Sequence, residues 1–149
     1  MTMRYILKNL VAIKKISEEV MQNISLPIVP ADIENLLLTL DPTVLISVTD
    51  ARGKIIYVNQ RFLAVSKYTK DDLIGQNHRI LKSGHQDESL FEELWKNIVN
   101  GKVWQGVIKN RAKDGSYFWV DTIITPSIGK NGKPSHYLAT RTLITPADA

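Results

Sequence analysis

The stretch Gly75 to Trp119 reads G-Q-N-H-R-I-L-K-S-G-H-Q-D-E-S-L-F-E-E-L-W-K-N-I-V-N-G-K-V-W-Q-G-V-I-K-N-R-A-K-D-G-S-Y-F-W, and its repeat changes midway. From Asp87 to Asn100 apolar residues recur three and four apart (Leu90, Phe91, Leu94, Trp95, Ile98, Val99), the period of an amphipathic helix, and Asn100-Gly101 stops it. Val103 to Arg111 then reads as a strand, and Lys113-Asp114-Gly115 turns the chain into another from Ser116 to Pro126. All three tryptophans and two of the three histidines (His78, His85) fall in this stretch. Polar side chains scattered through apolar sequence are expected where a fold opens a pocket.

Downstream, Lys130-Asn131-Gly132-Lys133 turns into a last strand, Ser135 to Thr145. Upstream, Val44 to Thr49 and Lys54 to Val58 form a hairpin around Asp50-Ala51-Arg52-Gly53, with Gly53 suited to a positive φ. Asn59 caps a short helix carrying Phe62, Leu63 and Val65. Thr69 caps another that Gly75 closes. Two strands, short helices, one longer helix and three strands make an α+β domain: a five-stranded antiparallel sheet with helices on one face.

Before this domain, Met3, Ile6, Leu10, Ile13, Ser17, Val20 and Ile24 alternate three and four apart, an amphipathic N-terminal helix over 1–24 with a seam broken only by Ser17. A stripe this apolar needs a partner face. Two remain open: its own domain, or a second copy in a homodimer. Pro27 and Pro30 end the helix, so 25–41 reads as linker and short helix, 42–145 as the compact domain, and 146–149 as the start of a linker to an output domain.

Composition narrows the function. The 149 residues are 44% hydrophobic and 23% charged, with net charge +4 and no cysteine. Disulfides, thiolate metal sites and cysteine nucleophiles are excluded, and a reducing, cytoplasmic setting is expected. No apolar run is long enough to span a membrane. The basic residues are spread rather than clustered, so no nucleic-acid footprint is expected. No metalloprotease, nucleophile-elbow or phosphate-loop pattern occurs, and the spacing of His78 and His85 is not a helical metal spacing. The reading is of a binding module with no metal, not an enzyme.

The run I-S-V-T-D-A-R-G-K-I-I-Y-V-N-Q-R-F-L-A-V-S-K-Y-T-K-D-D-L-I-G-Q-N resembles the opening of a PAS sensor domain, and W-Q-G-V-I-K-N-R-A-K-D-G-S-Y-F-W and R-T-L-I-T resemble its later strands. The likeness covers about Leu40 to Thr145. It is nearest to the flavin-binding PAS domains of bacterial redox and aerotaxis sensors, which carry similar E-L-W, W-x-G and N-R-x-K-D-G motifs. The resemblance implies FAD as cofactor, with Trp95 beside the isoalloxazine and Asn110 bonded to its polar edge. Asn59 and the loop bearing Asn77, His78, Arg79 and His85 would line the other side, and Trp104 of the W-x-G joins them. Arg79, Lys82 or Arg111 would meet a phosphate.

Three positions depart from the family. Leu143 stands where the terminal D-I-T motif has aspartate. His78 stands where the light-sensing branch has its photoreactive cysteine. Val120 replaces an asparagine of that branch. A haem-binding variant needs an axial histidine in the long helix, and none is there. Two functions follow: a sensor binding FAD and reporting redox or oxygen state to an output domain, or a cofactor-free module for dimerisation or relay of a small ligand. Trp95 serves equally as plain core, Asn110 as a satisfier of backbone groups, and His78 as a loop residue.

Overall fold

The computed structural model describes residues 44–145. The helix expected over 1–24, the segment 25–41 and the tail 146–149 lie outside the described residues, as do positions 42 and 43 of the expected compact domain.

β1 (Val44–Asp50) and β2 (Ile55–Val58) are followed by α1 (Gln60–Ser66), α2 (Lys70–Leu73), a 3-10 turn (His78–Leu81) and α3 (Glu88–Val99). Then come β3 (Trp104–Arg111), β4 (Tyr117–Ile128) and β5 (Pro134–Ile144). The strands form one antiparallel sheet in the order β2-β1-β5-β4-β3. This is the expected α+β architecture, with strand ends shifted by one or two residues and the 3-10 turn added.

Strand alternation decides which residues face the helices. Paired positions share a face, so Leu45, Ser47 and Thr49 of β1 lie beside Arg141, Ala139 and Tyr137 of β5. Across β4 and β3 the same inner face carries Thr122, Ile124, Gly106 and Asn110. Leu94 and Ile98 of α3 pack with Trp104, Ile108 and Val120, while Phe62 of α1, Leu73 and Leu81 pack with Leu45 and Ile55. On the outer face Val44, Ile46, Val48, Tyr57 and Leu138 form a separate buried apolar cluster.

The turns behave as their residues dictate. Gly53 and Gly75 take φ of 85° and 86°. Thr69 and Asp72 make a reciprocal capping box: the Asp72 carboxylate accepts from the Thr69 amide at 2.9 Å, and the Thr69 hydroxyl accepts from the Asp72 amide at 3.2 Å. Lys67 ends α1 in the left-handed region, and its ammonium reaches Asp114 at 2.6 Å, tying α1 to the β3–β4 turn.

Asn59 does more than cap. Its Oδ1 accepts from the amides of Ile46 and Phe62, and its Nδ2 donates to the Val44 carbonyl, all at 3.0 Å. The side chain is 1% exposed. One carboxamide thus joins β1 to the first turn of α1. Asn59→Ala should cost about 2–4 kcal/mol, because it removes a cap and leaves buried backbone groups unpaired. Urea unfolding checks this; a loss below about 1 kcal/mol would make the amide incidental.

Candidate functional site

Between the inner face of the sheet and α3 lies a cavity of about 370 Å³, within the range of small-ligand sites. One wall is apolar, formed by Phe91, Leu94, Trp95 and Ile98 of α3 facing Ile108 and Ile124. Trp95 meets Tyr137 edge-on, centroids 5.9 Å apart at 89°. The β1–β2 turn closes over the indole. A Cβ on Gly53 would sit 3.0 Å from Trp95 Cη2, so glycine is required there both by this approach and by its positive φ.

The polar end is built by β1, β5 and the 3-10 turn. Arg141 on β5 is 5% exposed. Its Nη1 donates to Ser47 Oγ at 3.0 Å, and its Nη2 lies 3.0 Å from His78 Nε2, which is 3.0 Å from Ser47 Oγ. A guanidinium only donates. His78 Nε2 is therefore the acceptor, and the imidazole is neutral with its proton on Nδ1. Burial, and then the nearby guanidinium, hold His78 well below the usual imidazole range. Burial also pulls Arg141 down to about 9, still cationic at neutral pH. The Phe62 ring lies 5.3 Å from the guanidinium carbon and stabilises it through its π face.

On the β3 side, Lys82 pairs with Asn110 in an isolated bridge, and Ser83 Oγ donates to the Lys109 carbonyl at 2.6 Å. These bonds hold the loop after the 3-10 turn against the strand. The Asn110 carboxamide is buried in the cavity wall and makes no side-chain hydrogen bond within the described residues. The hydroxyl of Thr122, on the same wall, is likewise unpaired. A buried group left without a partner costs about 1–3 kcal/mol, and these two leave donor and acceptor capacity at the cavity wall.

The cavity brings together five of the expected residues, Asn77, His78, Arg79, Trp95 and Asn110, and excludes three. Asn59 is spent on the backbone of β1 and α1. His85 is exposed and stands against Trp119, centroids 5.0 Å apart. Trp104 is buried on the inner face, packed with Leu94, Ile98 and Ile108, but does not line the cavity. Its ring lies over Gly106, where an added Cβ would be 2.5 Å from Cη2, and this explains the W-x-G spacing. Arg111 is exposed and outside the cavity, while Lys82 lines it. Val120 is fully buried in the core rather than at the cavity. Sequence reading missed Arg141, Thr49, Thr122 and Tyr137. Strand alternation was the available signal: Tyr137, Ala139 and Arg141 share one face.

The sequence profile of the PAS fold matches residues 55–141, more than half of the 149. The chain belongs to the PAS fold family. This PAS domain is 35% identical to the aerotaxis receptor of Escherichia coli over 105 residues, 70% of this chain and 21% of the receptor. It is 37% identical to the nitrogen fixation regulatory protein of Klebsiella pneumoniae over 97 residues, 65% of this chain and 20% of the regulator. The chain thus spans about a fifth of the length of these curated relatives. Among solved structures, a light-oxygen-voltage domain studied with a flavin analogue superimposes with a TM-score of 0.68 at 25% identity, covering 77% of this chain and 88% of that one. The PAS domain of a protein from Colwellia psychrerythraea gives 0.64 at 29% identity, covering 69% and 87%.

His78 makes the PAS domain sensitive to acid. Its imidazole stays neutral in the folded state, while the unfolded chain takes up a proton below about pH 6.5. Stability is therefore full above that pH and falls as pH drops, by up to about 1.4 kcal/mol per unit. Burial lowers His136 as well, in the same direction. Urea midpoints measured from neutral to mildly acid pH should decline in wild type, decline less in His78→Gln, and change little further in His136→Gln. An unaltered decline in His78→Gln would contradict a neutral His78.

Proposed function

We propose that this PAS domain is a sensory module that binds FAD and reports redox or oxygen state to an output domain. The observation that carries the reading is the unpaired Asn110 carboxamide facing the Trp95 wall across the cavity. An isoalloxazine needs an apolar slot, an aromatic neighbour and an amide that donates and accepts. Arg79, exposed, and Lys82, partly exposed, line the cavity where a diphosphate would be met. The neighbour studied with a flavin analogue supports this ligand class, and the relatives named for aerotaxis and for nitrogen-fixation regulation support a sensory role.

A bound flavin supplies reversible two-electron chemistry. The protein's part is to hold the ring against Trp95, orient its polar edge on Asn110, and keep bulk water out with α3 and the β1–β2 turn. No cysteine is present, so no cysteinyl adduct can form, and His78 at the polar end is a neutral imidazole whose Nε2 already accepts from Arg141. The rival reading, a cofactor-free relay, draws support from Val120, a core valine where the light-sensing branch has a ring-binding amide.

The module is also proposed to act as a cytoplasmic homodimer. The apolar cluster on the outer sheet face, centred on Ile46 and Val48, is suited to receive the apolar stripe of residues 3–24 from its own or a second copy. The units 1–24, 25–41, 42–145 and 146–149 are proposed as helix, linker, sensor and the start of a link to the output domain.

Purified protein should be yellow and release FAD on denaturation; protein that stays colourless after incubation with excess FAD would favour the cofactor-free relay. Asn110→Ala should weaken FAD binding by about 1–3 kcal/mol, and Trp95→Ala should lose the ligand or its fluorescence quenching. Full affinity in both folded variants would leave these residues as core. Light scattering should give a dimer, lost or aggregated on removal of residues 1–24. A monomer with those residues intact would refute the assembly.

A further inference from the structure

We infer that Arg141 is the counter-charge for the anionic, reduced form of the flavin ring, so that the cavity holds reduced FAD more tightly than oxidised FAD. This rests on the flavin reading above and adds to it a residue and a direction.

The cavity lining holds three cations, Arg79, Lys82 and Arg141, and no Asp or Glu. Two of them are accounted for in other ways. Arg79 is exposed, and Lys82 lies 3.5 Å from Glu88 and over the Phe91 ring at 4.1 Å. Both are placed for phosphates near solvent. Arg141 is different. It lies at the centre of the sheet, has no carboxylate partner among the described residues, and makes side-chain hydrogen bonds only to the neutral groups Ser47 and His78. Those two bonds use two of its five N–H donors. A guanidinium this deep without a counter-ion is costly, and the one region left for an anion is the cavity that it lines.

The titratable groups around it are few. His78 comes from the 3-10 turn, Tyr137 from the same face of β5, and Arg79 and Lys82 lie at the cavity edge. β1, β3, β4 and α3 present only neutral residues to the cavity. Nothing there repels negative charge. A neutral oxidised ring that takes two electrons from a reductant such as dithionite, with one proton from solvent, carries a single negative charge. Oxygen reverses the change by accepting two electrons and two protons to give hydrogen peroxide, one of those protons from the ring and one from solvent. The charge appears and disappears in a low-dielectric site beside Arg141, where its interaction is strongest. Ser47 and His78 hold the guanidinium in place, and His78 can do so only while it is neutral.

The test uses the full chain reconstituted with FAD and compares wild type, Arg141→Gln and Arg141→Lys by dissociation constants for oxidised and reduced FAD and by midpoint potential. Wild type should bind reduced FAD more tightly. Arg141→Gln should lose at least about tenfold of that preference, which is a drop of about 30 mV for a two-electron couple, and Arg141→Lys should keep most of it. Should both variants fail to fold, the wild-type potential against pH decides. A slope of one proton per two electrons, continuing to more acid pH than in free FAD, supports the inference, and a slope matching free FAD overturns it. Arg141→Gln with an unchanged midpoint overturns this inference alone. Wild type that takes up no FAD overturns both it and the flavin reading.

Discussion

The carboxamide of Asn59 is the joint on which the rest of the structure hangs. Its Oδ1 satisfies an amide in the first turn of α1, and the same oxygen together with Nδ2 satisfies two backbone groups of β1. A helix start and a central strand are thereby held in fixed relation, and the chain leaving β2 is turned across the inner face of the sheet. Phe62 is consequently pressed into the core, where its ring supports the Arg141 guanidinium. The polar end of the cavity thus depends on a residue that never touches the cavity.

Burying a cation at the middle of a sheet is costly, and the surroundings offset that cost. Ser47 and His78 supply hydrogen-bond acceptors, and Phe62 supplies a π face. The imidazole is compelled to stay neutral, since a second cation there would have no partner. Leu143, on the same inward-facing side of β5, follows the opposite logic. Where the wider family has an aspartate, this chain places an apolar side chain against both inner clusters. Any coupling at that point runs through packing rather than through a charged contact.

Much of the fold was legible because its signals are local. Strand alternation, the three-four repeat of α3, the Thr69 cap and the glycine turns each lie within a few residues, and each appears where expected. The site was legible only in part. Trp95 and Asn110 stand in a recognisable motif, and the loop from Asn77 to Arg79 follows from it. Asn59 was expected at the ligand and stands outside the cavity lining, because an amide beside a motif can bond either a ligand or the backbone, and only three-dimensional neighbours decide which. His85 and Trp104 were expected at the ligand and do not line the cavity: His85 stands against Trp119 and the Trp104 ring lies over Gly106, contacts that proximity in sequence does not give. Arg141 was overlooked because its partners are far away in the chain, although the alternation of β5 already marked it as an inward-facing charge.

The strand order β2-β1-β5-β4-β3 places the first and last strands side by side at the centre of the sheet. During synthesis β1 and β2 emerge early and can close their hairpin. Yet one flank of β1 stays bare until β5 follows, and the bond from Ser47 to Arg141 spans 94 residues. Contacts so distant in sequence form late and slow the overall reaction. The polar end of the cavity is therefore among the last parts of the domain to come into being. A nascent chain could not grip a small molecule there before its final strand is in place, so a ligand captured at that cavity would report that folding is complete.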